Sequence, residues 1–141
     1  MTFFLDANVI VYAWVPSEHR EACLEVLEAI VARDADGRTS TAALEEVWHL
    51  ELSGRAGDLH GLAERAYAVL TPLLPVTDDA FLAALTLDAP RLGANDRLHV
   101  GTCQAHGIDT VLSADLGFDA LPGVRRVDPL DERARRALLS A

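Results

Sequence analysis

Thr2-Phe3-Phe4-Leu5-Asp6-Ala7-Asn8 is the stretch on which the fold turns. Thr2 to Leu5 is a β-prone run, and Asp6-Ala7-Asn8 ends it with turn-capable residues. Val9 to Trp14 follows as a short helix stopped before Pro16. Ser17 is placed to cap a second helix, with Glu18 and Glu21 set to favour its dipole. Cys23, Val26, Leu27, Ile30 and Val31 recur at the i, i+3, i+4, i+7, i+8 spacing of one apolar helix face.

The same alternation continues along the chain. Gly37-Arg38-Thr39-Ser40 reads as a short strand and its exit turn, and Ala42 to Leu52 as a helix broken at Gly54. Leu59 to Leu70 forms another amphipathic helix. Pro75-Val76-Thr77 is expected as a brief strand, and Asp78 as the cap of a helix reaching Leu87. Asn95 is expected to cap a helix that stops at Gly107. Thr110 to Ser113 is a buried-type strand, Val124 to Val127 a final strand, and Arg133 to Leu139 a tail helix. Strands alternating with helices predict an α/β fold built on a mainly parallel sheet. In such sheets ligands bind outside the carboxyl ends of the strands.

With 141 residues, half of them apolar, the chain is expected to form a single domain over 1–141 with its own core. No run of about 18 apolar residues is present, and no basic start leads into an apolar run, so a cytoplasmic location is the expectation. Cys23 and Cys103 lie far apart among apolar or small neighbours and read as core residues. The net charge of −10 excludes nucleic-acid binding by bulk electrostatics. All 12 basic residues are arginine, which excludes any mechanism that needs a catalytic amine.

Carboxylates mark the predicted strand ends. Asp6 follows Phe3-Phe4-Leu5, and Asp115 follows Val111-Leu112-Ser113-Ala114. Asp96 opens a helix, and Glu45 and Glu46 lie on the helix after Ser40. Each acid alone is equally explained by helix capping or solvent exposure. Together at one sheet edge they would repel: a pair about 4 Å apart costs roughly 1 kcal/mol in water and about 4 kcal/mol at an effective dielectric near 20. A cation or raised pKa values must then offset the repulsion. Hard oxygen donors select Mg²⁺ or Mn²⁺, and such ions suit phosphodiester hydrolysis.

These segments, in this order, resemble the PIN domain, and within it the VapC-like toxin ribonucleases. The residues that carry the likeness are Leu5-Asp6-Ala7-Asn8-Val9-Ile10-Val11-Tyr12-Ala13, Ser40 to His49, Asn95-Asp96-Arg97-Leu98, and Leu112 to Phe118. The resemblance implies a three-layer α/β/α fold with a central sheet of about four to five strands. It implies metal-dependent cleavage of RNA, leaving 5′-phosphate and 3′-hydroxyl ends. Asp6, Asp96 and Asp115 would hold Mg²⁺, with Mn²⁺ as the alternative, and Glu46 would complete the catalytic acids. Glu46 is preferred to Glu45 by its spacing from Ser40. Asn8 and Ser113 would support the site. Many relatives carry a further acid where this chain has Gly117, and Asp119 is the nearest substitute. Arg97 is expected at the surface. The resemblance also implies a VapB-like antitoxin, a homodimer and an RNA substrate.

Other readings fit less well. A phosphoaspartate phosphatase needs Asp-x-Asp and usually a lysine, whereas position 8 is Asn; a receiver domain also lacks its lysine. Glu46-Val47-Trp48-His49 and Asp96-Arg97-Leu98-His99 have the spacing of di-iron ligands on a helical bundle. The strand-like runs disfavour that bundle, so His49 and His99 are expected on helix surfaces or in packing. An RNA-processing PIN nuclease without an antitoxin, or a PIN-like binding module, completes the set.

Overall fold

Phe3 and Leu5 point to one side of their strand and Phe4 to the other, as period-2 geometry requires. All three are fully buried, so both faces of this strand are covered. The computed structural model describes residues 1–140; the last residue of the expected domain, Ala141, lies outside them. Four strands form the sheet: β1 (Thr2–Leu5), β2 (Asp36–Arg38), β3 (Thr110–Leu112) and β4 (Arg125–Val127). They are all parallel, in the order β2-β1-β3-β4. Seven helices surround them: α1 (Ala7–Trp14), α2 (Arg20–Val31), α3 (Thr41–Ser53), α4 (Leu62–Leu70), α5 (Asp78–Leu85), α6 (Ala94–Ala105) and α7 (Glu132–Leu139).

The sheet separates two apolar clusters. Phe3, Leu5, Leu112 and Val127 pack with Val9, Cys23, Val26 and Leu138 from α1, α2 and α7. Phe4 and Val111 pack on the other side with Ala43, Val100, Cys103 and Phe118. A third cluster joins α1, α3 and α4 through Ile10, Leu44, Val47, Leu59 and Leu62. This is the α/β architecture expected. β1 and β3 are the two central strands, and Leu5 is in register with Leu112. The next residues along, Asp6 and Ser113, therefore emerge side by side at the carboxyl edge.

Several local expectations change. Asp6 accepts from Ala7 N at 2.8 Å and caps α1 itself, so that helix begins two residues before Val9. Ser17 does not cap α2, which starts at Arg20 after a turn closed by Arg20 N donating to Ser17 O. His19 in that turn stacks on Tyr12, with centroids 4.7 Å apart, tying it to α1. Thr77 rather than Asp78 caps α5, which ends at Leu85. Gly93 rather than Asn95 stands at the start of α6. Pro75-Val76-Thr77 forms no strand. Pro75 has no N–H for a ladder, and only Leu74 bridges to Ser40. The helix after Leu59 begins at Leu62.

Arg97 is not a free surface cation. Its guanidinium is half-buried and donates to the carbonyls of Leu92, at 2.8 Å, Leu87, at 3.2 Å, and Ala89. Those bonds fasten the α5–α6 loop beneath the first turn of α6, the turn that carries Asp96.

Candidate active site

The site is built where β1 and β3 end. Asp6 is 4 % exposed, buried because α1 begins at once and folds over it. Its two oxygens are divided between tasks. Oδ1 accepts from Ala7 N at 2.8 Å at the positive end of α1. Oδ2 accepts from Ser113 Oγ at 2.7 Å and from Asn8 Nδ2 at 3.2 Å. Ser113 Oγ in turn accepts from Asn8 Nδ2 at 3.1 Å and from Asp115 N at 3.0 Å. Asn8 Oδ1 accepts from Ala114 N at 3.3 Å. Asn8 and Ser113 thus lock the carboxylate of Asp6 to the turn that presents Asp115. Burial still pushes the Asp6 carboxyl above its usual range, opposed by Ser113, His99 and Ala7 N, and reinforced by the charge of Glu46.

Helix α3 is capped by Ser40, whose Oγ accepts from Ala43 N at 3.0 Å. Its buried face, Ala43, Leu44 and Val47, turns Glu46 inward and leaves Glu45 exposed. Glu46 Oε1 lies 2.9 Å from His99 Nε2, and His99 Nε2 lies 3.8 Å from Asp6 Oδ1. Donor atoms of Asp6, Glu46 and His99 all fall within 4.8 Å of one another. His99 is the residue that sequence reasoning left out of the site. Its signal was the Asp96-x-x-His99 spacing, which puts both side chains on one face of α6. His49, from the parallel Glu46-x-x-His49 spacing, is exposed, so the paired histidines of a di-iron centre are not assembled.

Asp96 is half-buried in the first turn of α6. Its carboxyl is pushed up to about 6, first by burial and then by the charges of Asp6, Asp115 and Glu46, with His99 opposing. Asp96 therefore feels the other three predicted acids. Asp115 is exposed, and its Oδ1 accepts from Gly117 N at 2.8 Å. Burial works against the His99 imidazolium, but Glu46, Asp6 and Asp96 outweigh it and raise its pKa. Among the described residues, His99 is the one basic side chain within ion-pairing distance of these acids.

Asp119 does not replace the acid missing at Gly117. Both its oxygens are held by Arg126, at 2.7 and 3.3 Å. Arg126 also donates to Ser113 O at 2.9 Å, bracing the site's turn from behind.

The Ser113 hydroxyl gives a direct test of this network. Ser113→Ala removes a donor from a buried carboxylate and an acceptor from two N–H groups. The expected cost is about 1–3 kcal/mol, read by urea denaturation. A loss under about 0.5 kcal/mol would mean that the hydroxyl is not integral to the turn.

The carboxylates gathered at this edge suit a hard divalent cation; burial first, and then the charges of Asp6, Asp115 and Glu46, raise the Asp96 pKa. Comparison with known proteins agrees with the geometry. Ribonuclease VapC13 of Mycobacterium tuberculosis and a VapC ribonuclease of Mycobacterium bovis are each 26% identical over 127 residues, covering 87% of this chain and 97% of the relative. VapBC2 from Rickettsia felis, solved bound to a DNA fragment from its promoter, superposes with a TM-score of 0.70 at 18% identity, over 90% of this chain and 98% of that one. A toxin–antitoxin complex from Klebsiella pneumoniae gives a TM-score of 0.65 at 16% identity, over 89% and 96%. At those identities the structural likeness speaks for the fold. Residues 3–124 match the PIN domain family, and the chain belongs to it.

Proposed function

We propose that this chain is a divalent-metal-dependent endoribonuclease, the toxin of a toxin–antitoxin pair, acting in the cytoplasm as one PIN domain over residues 1–141. The observation that carries this reading is the cluster at the strand ends: donor atoms of Asp6, Glu46 and His99 within 4.8 Å of one another, and Asp96 raised first by burial and then by the charges of Asp6, Asp115 and Glu46. VapC ribonucleases matched over nearly their full length support the substrate class.

In this mechanism Asp6, Asp96 and Asp115 would hold Mg²⁺ or Mn²⁺. The ion, when bound, neutralises charge on the phosphate and acidifies water. Asn8 and Ser113 keep Asp6 in one orientation, which removes the reorganisation that a free carboxylate would need. Glu46, whose Oε1 is occupied by His99, offers Oε2 to take the proton of the attacking water. The chain has no lysine, and Arg97 and Arg126, the arginines nearest the cluster in sequence or hydrogen bonding, are engaged with backbone carbonyls and Asp119.

Two apolar surfaces support the partners proposed. A groove of about 370 Å³ runs between α1, α2 and α4, lined by Trp14, Leu24, Leu27, Val31, Leu62 and Val69, and would receive the antitoxin. Phe81, Leu82 and Leu85 on α5 stand 50%, 60% and 69% exposed and would face a second copy. No helix among the described residues is long and apolar enough to cross a membrane.

The test is cleavage of bulk bacterial RNA by the purified chain. Mg²⁺ or Mn²⁺ should support cleavage that leaves 5′-phosphates, and excess EDTA should abolish it. Cleavage that persists in EDTA overturns the metal-dependent reading. Co-purification with a chain of about 70–100 residues identifies the toxin role; an active monomer without such a partner points to RNA processing.

Proton and metal should compete at Asp96. A carboxyl at about 6 when folded, against an ordinary 3.8, holds a proton that the unfolded chain has already released. The stability this contributes is present below about pH 4 and is lost as pH rises through about 6. Asp96→Asn is therefore expected to melt above the wild type at about pH 7.5 without metal, and to equal it near pH 4. Saturating Mn²⁺, at about 100 times its Kd, should add about 2.7 kcal/mol to the wild type at the higher pH. That gain should shrink as pH falls below about 6 and be largely absent in Asp96→Asn. Differential scanning calorimetry reads each part, and a wild type more stable than Asp96→Asn without metal contradicts it.

A further inference from the structure

His99 is fully buried, one helical turn beyond Asp96 on α6. Its ring lies tilted against Phe4, with centroids 5.5 Å apart. Its Nε2 is 2.9 Å from Glu46 Oε1 and 3.8 Å from Asp6 Oδ1. Two roles are open to an imidazole so placed. It could bind the ion through Nε2, or it could keep a proton on Nε2 and donate it to Glu46.

The other ring nitrogen distinguishes them. A neutral histidine that binds a metal through Nε2 carries its proton on Nδ1, and such protons are almost always held by a carbonyl, a carboxylate or water. Here Nδ1 is buried, and no protein group among the described residues lies within hydrogen-bond reach of it. Ligation would leave a buried N–H donor unsatisfied and lose the 2.9 Å bond to Glu46, whereas donation from Nε2 keeps that bond and leaves on Nδ1 only the lone pair of a neutral ring. The same bond restrains Glu46, which otherwise stands partly exposed on α3 with no other hydrogen bond to the cluster among the described residues.

We propose that His99 is a positioning residue and not a metal ligand: Nε2–H pins Glu46 Oε1 beside Asp6 and so aims Oε2 at the reacting water. This rests on the nuclease reading above. The device links α6 to α3 through one hydrogen bond at the floor of the site. Glutamine can imitate it, because its Nε2 amide places a donor near the position of the histidine Nε2. A simple aliphatic cannot.

Two measurements decide the matter. Pulsed EPR of the Mn²⁺-loaded wild type should show no histidine nitrogen coupling to the ion; a clear coupling overturns the proposal. Kinetics on bulk bacterial RNA should place the effect in kcat. His99→Leu is expected to lose roughly 10–100-fold in kcat, with KM and the Mn²⁺ Kd within about 3-fold of the wild type. His99→Gln should recover most of that loss. A glutamine variant as impaired as the leucine variant, or a leucine variant that has lost Mn²⁺ affinity, also overturns it. Should His99→Leu fail to fold, the EPR spectrum and the glutamine variant still decide. A wild type that binds Mn²⁺ without histidine coupling yet cleaves no RNA defeats the nuclease reading, and with it the catalytic purpose of the contact, while leaving non-ligation intact.

Discussion

Asp6→Asn is expected to lower metal-dependent RNA cleavage by a factor of about 10³ or more, equivalent to about 4 kcal/mol of transition-state stabilisation. The substitution changes one atom and one charge. Asn Oδ1 can still accept from Ala7 N and cap α1, so the helix that covers the site should remain. The amide that replaces Oδ2 meets Ser113 Oγ, whose two lone pairs are already taken by Asn8 Nδ2 and Asp115 N, and Asn8 Nδ2, which keeps Ser113 Oγ as its remaining acceptor. Against that loss stands the removal of a carboxylate whose burial raises its pKa. The two effects oppose each other, and the metal-free melting temperature should move by only a few degrees. The rise in melting temperature caused by Mn²⁺ should largely vanish. An Asp6→Asn protein that cleaves RNA at near wild-type rate with Mg²⁺ present defeats the proposed function. A protein that has lost both activity and cooperative unfolding would instead show that the cap, and not the charge, was removed.

Gly101→Ala should be strongly destabilising. Gly101 faces α5 from the middle of α6, and a Cβ there would meet the Ala80 carbonyl oxygen inside contact distance. It would also lie 2.9 Å from Ala84 N and 3.1 Å from Ala84 Cβ. These are backbone atoms or a Cβ, and no rotamer change can move them. Gly37 differs, since its nearest neighbours are the ends of the Ile30 and Leu5 side chains. Overpacking of a closed contact costs about 1–3 kcal/mol and occasionally more. Near the upper end, the melting temperature should fall by roughly 10 °C. Because α6 carries both Asp96 and His99, cleavage should fall further than the loss of folded protein explains, even well below the melting temperature. Calorimetry paired with activity at one low temperature separates the two effects. A melting temperature within about 1 °C of the wild type would mean that α5 and α6 are not packed so closely.

Much of this protein is legible in its residues. The apolar run Phe3-Phe4-Leu5 and the β-prone run Thr110-Val111-Leu112 point to strands covered on both faces, and the helical periodicities between them supply the cover. That suffices for a parallel α/β sheet, and for Asp6 and Asp115 at strand ends. Local capping was read less well. Ser17, Asp78 and Asn95 all have cap-forming side chains, but neighbouring residues took the position. The choice depends on contacts such as the Tyr12–His19 stack and the Arg97 clamp, which join residues apart in sequence. Pro75-Val76-Thr77 has a strand-like composition, yet no N–H at its head with which to enter a ladder.

What the sequence alone determined, then, is the sheet and the edge at which the candidate carboxylates Asp6 and Asp115 follow their strands, because strand period and burial are local properties of the chain. What only the tertiary structure decided is which groups meet. On a helical wheel Glu45 and Glu46 flank the same apolar face; packing of α3 turns Glu46 toward Asp6 and leaves Glu45 exposed. His49 and His99 share the same spacing from an acid; burial of α6 against Phe4 brings His99 into the cluster, and exposure leaves His49 out. Asp119 stands beside the site in sequence, yet Arg126 from β4 holds it aside. Charge repulsion and hydrogen bonding act through space, and the distances on which they depend are set by how helices from separate parts of the chain settle on the sheet.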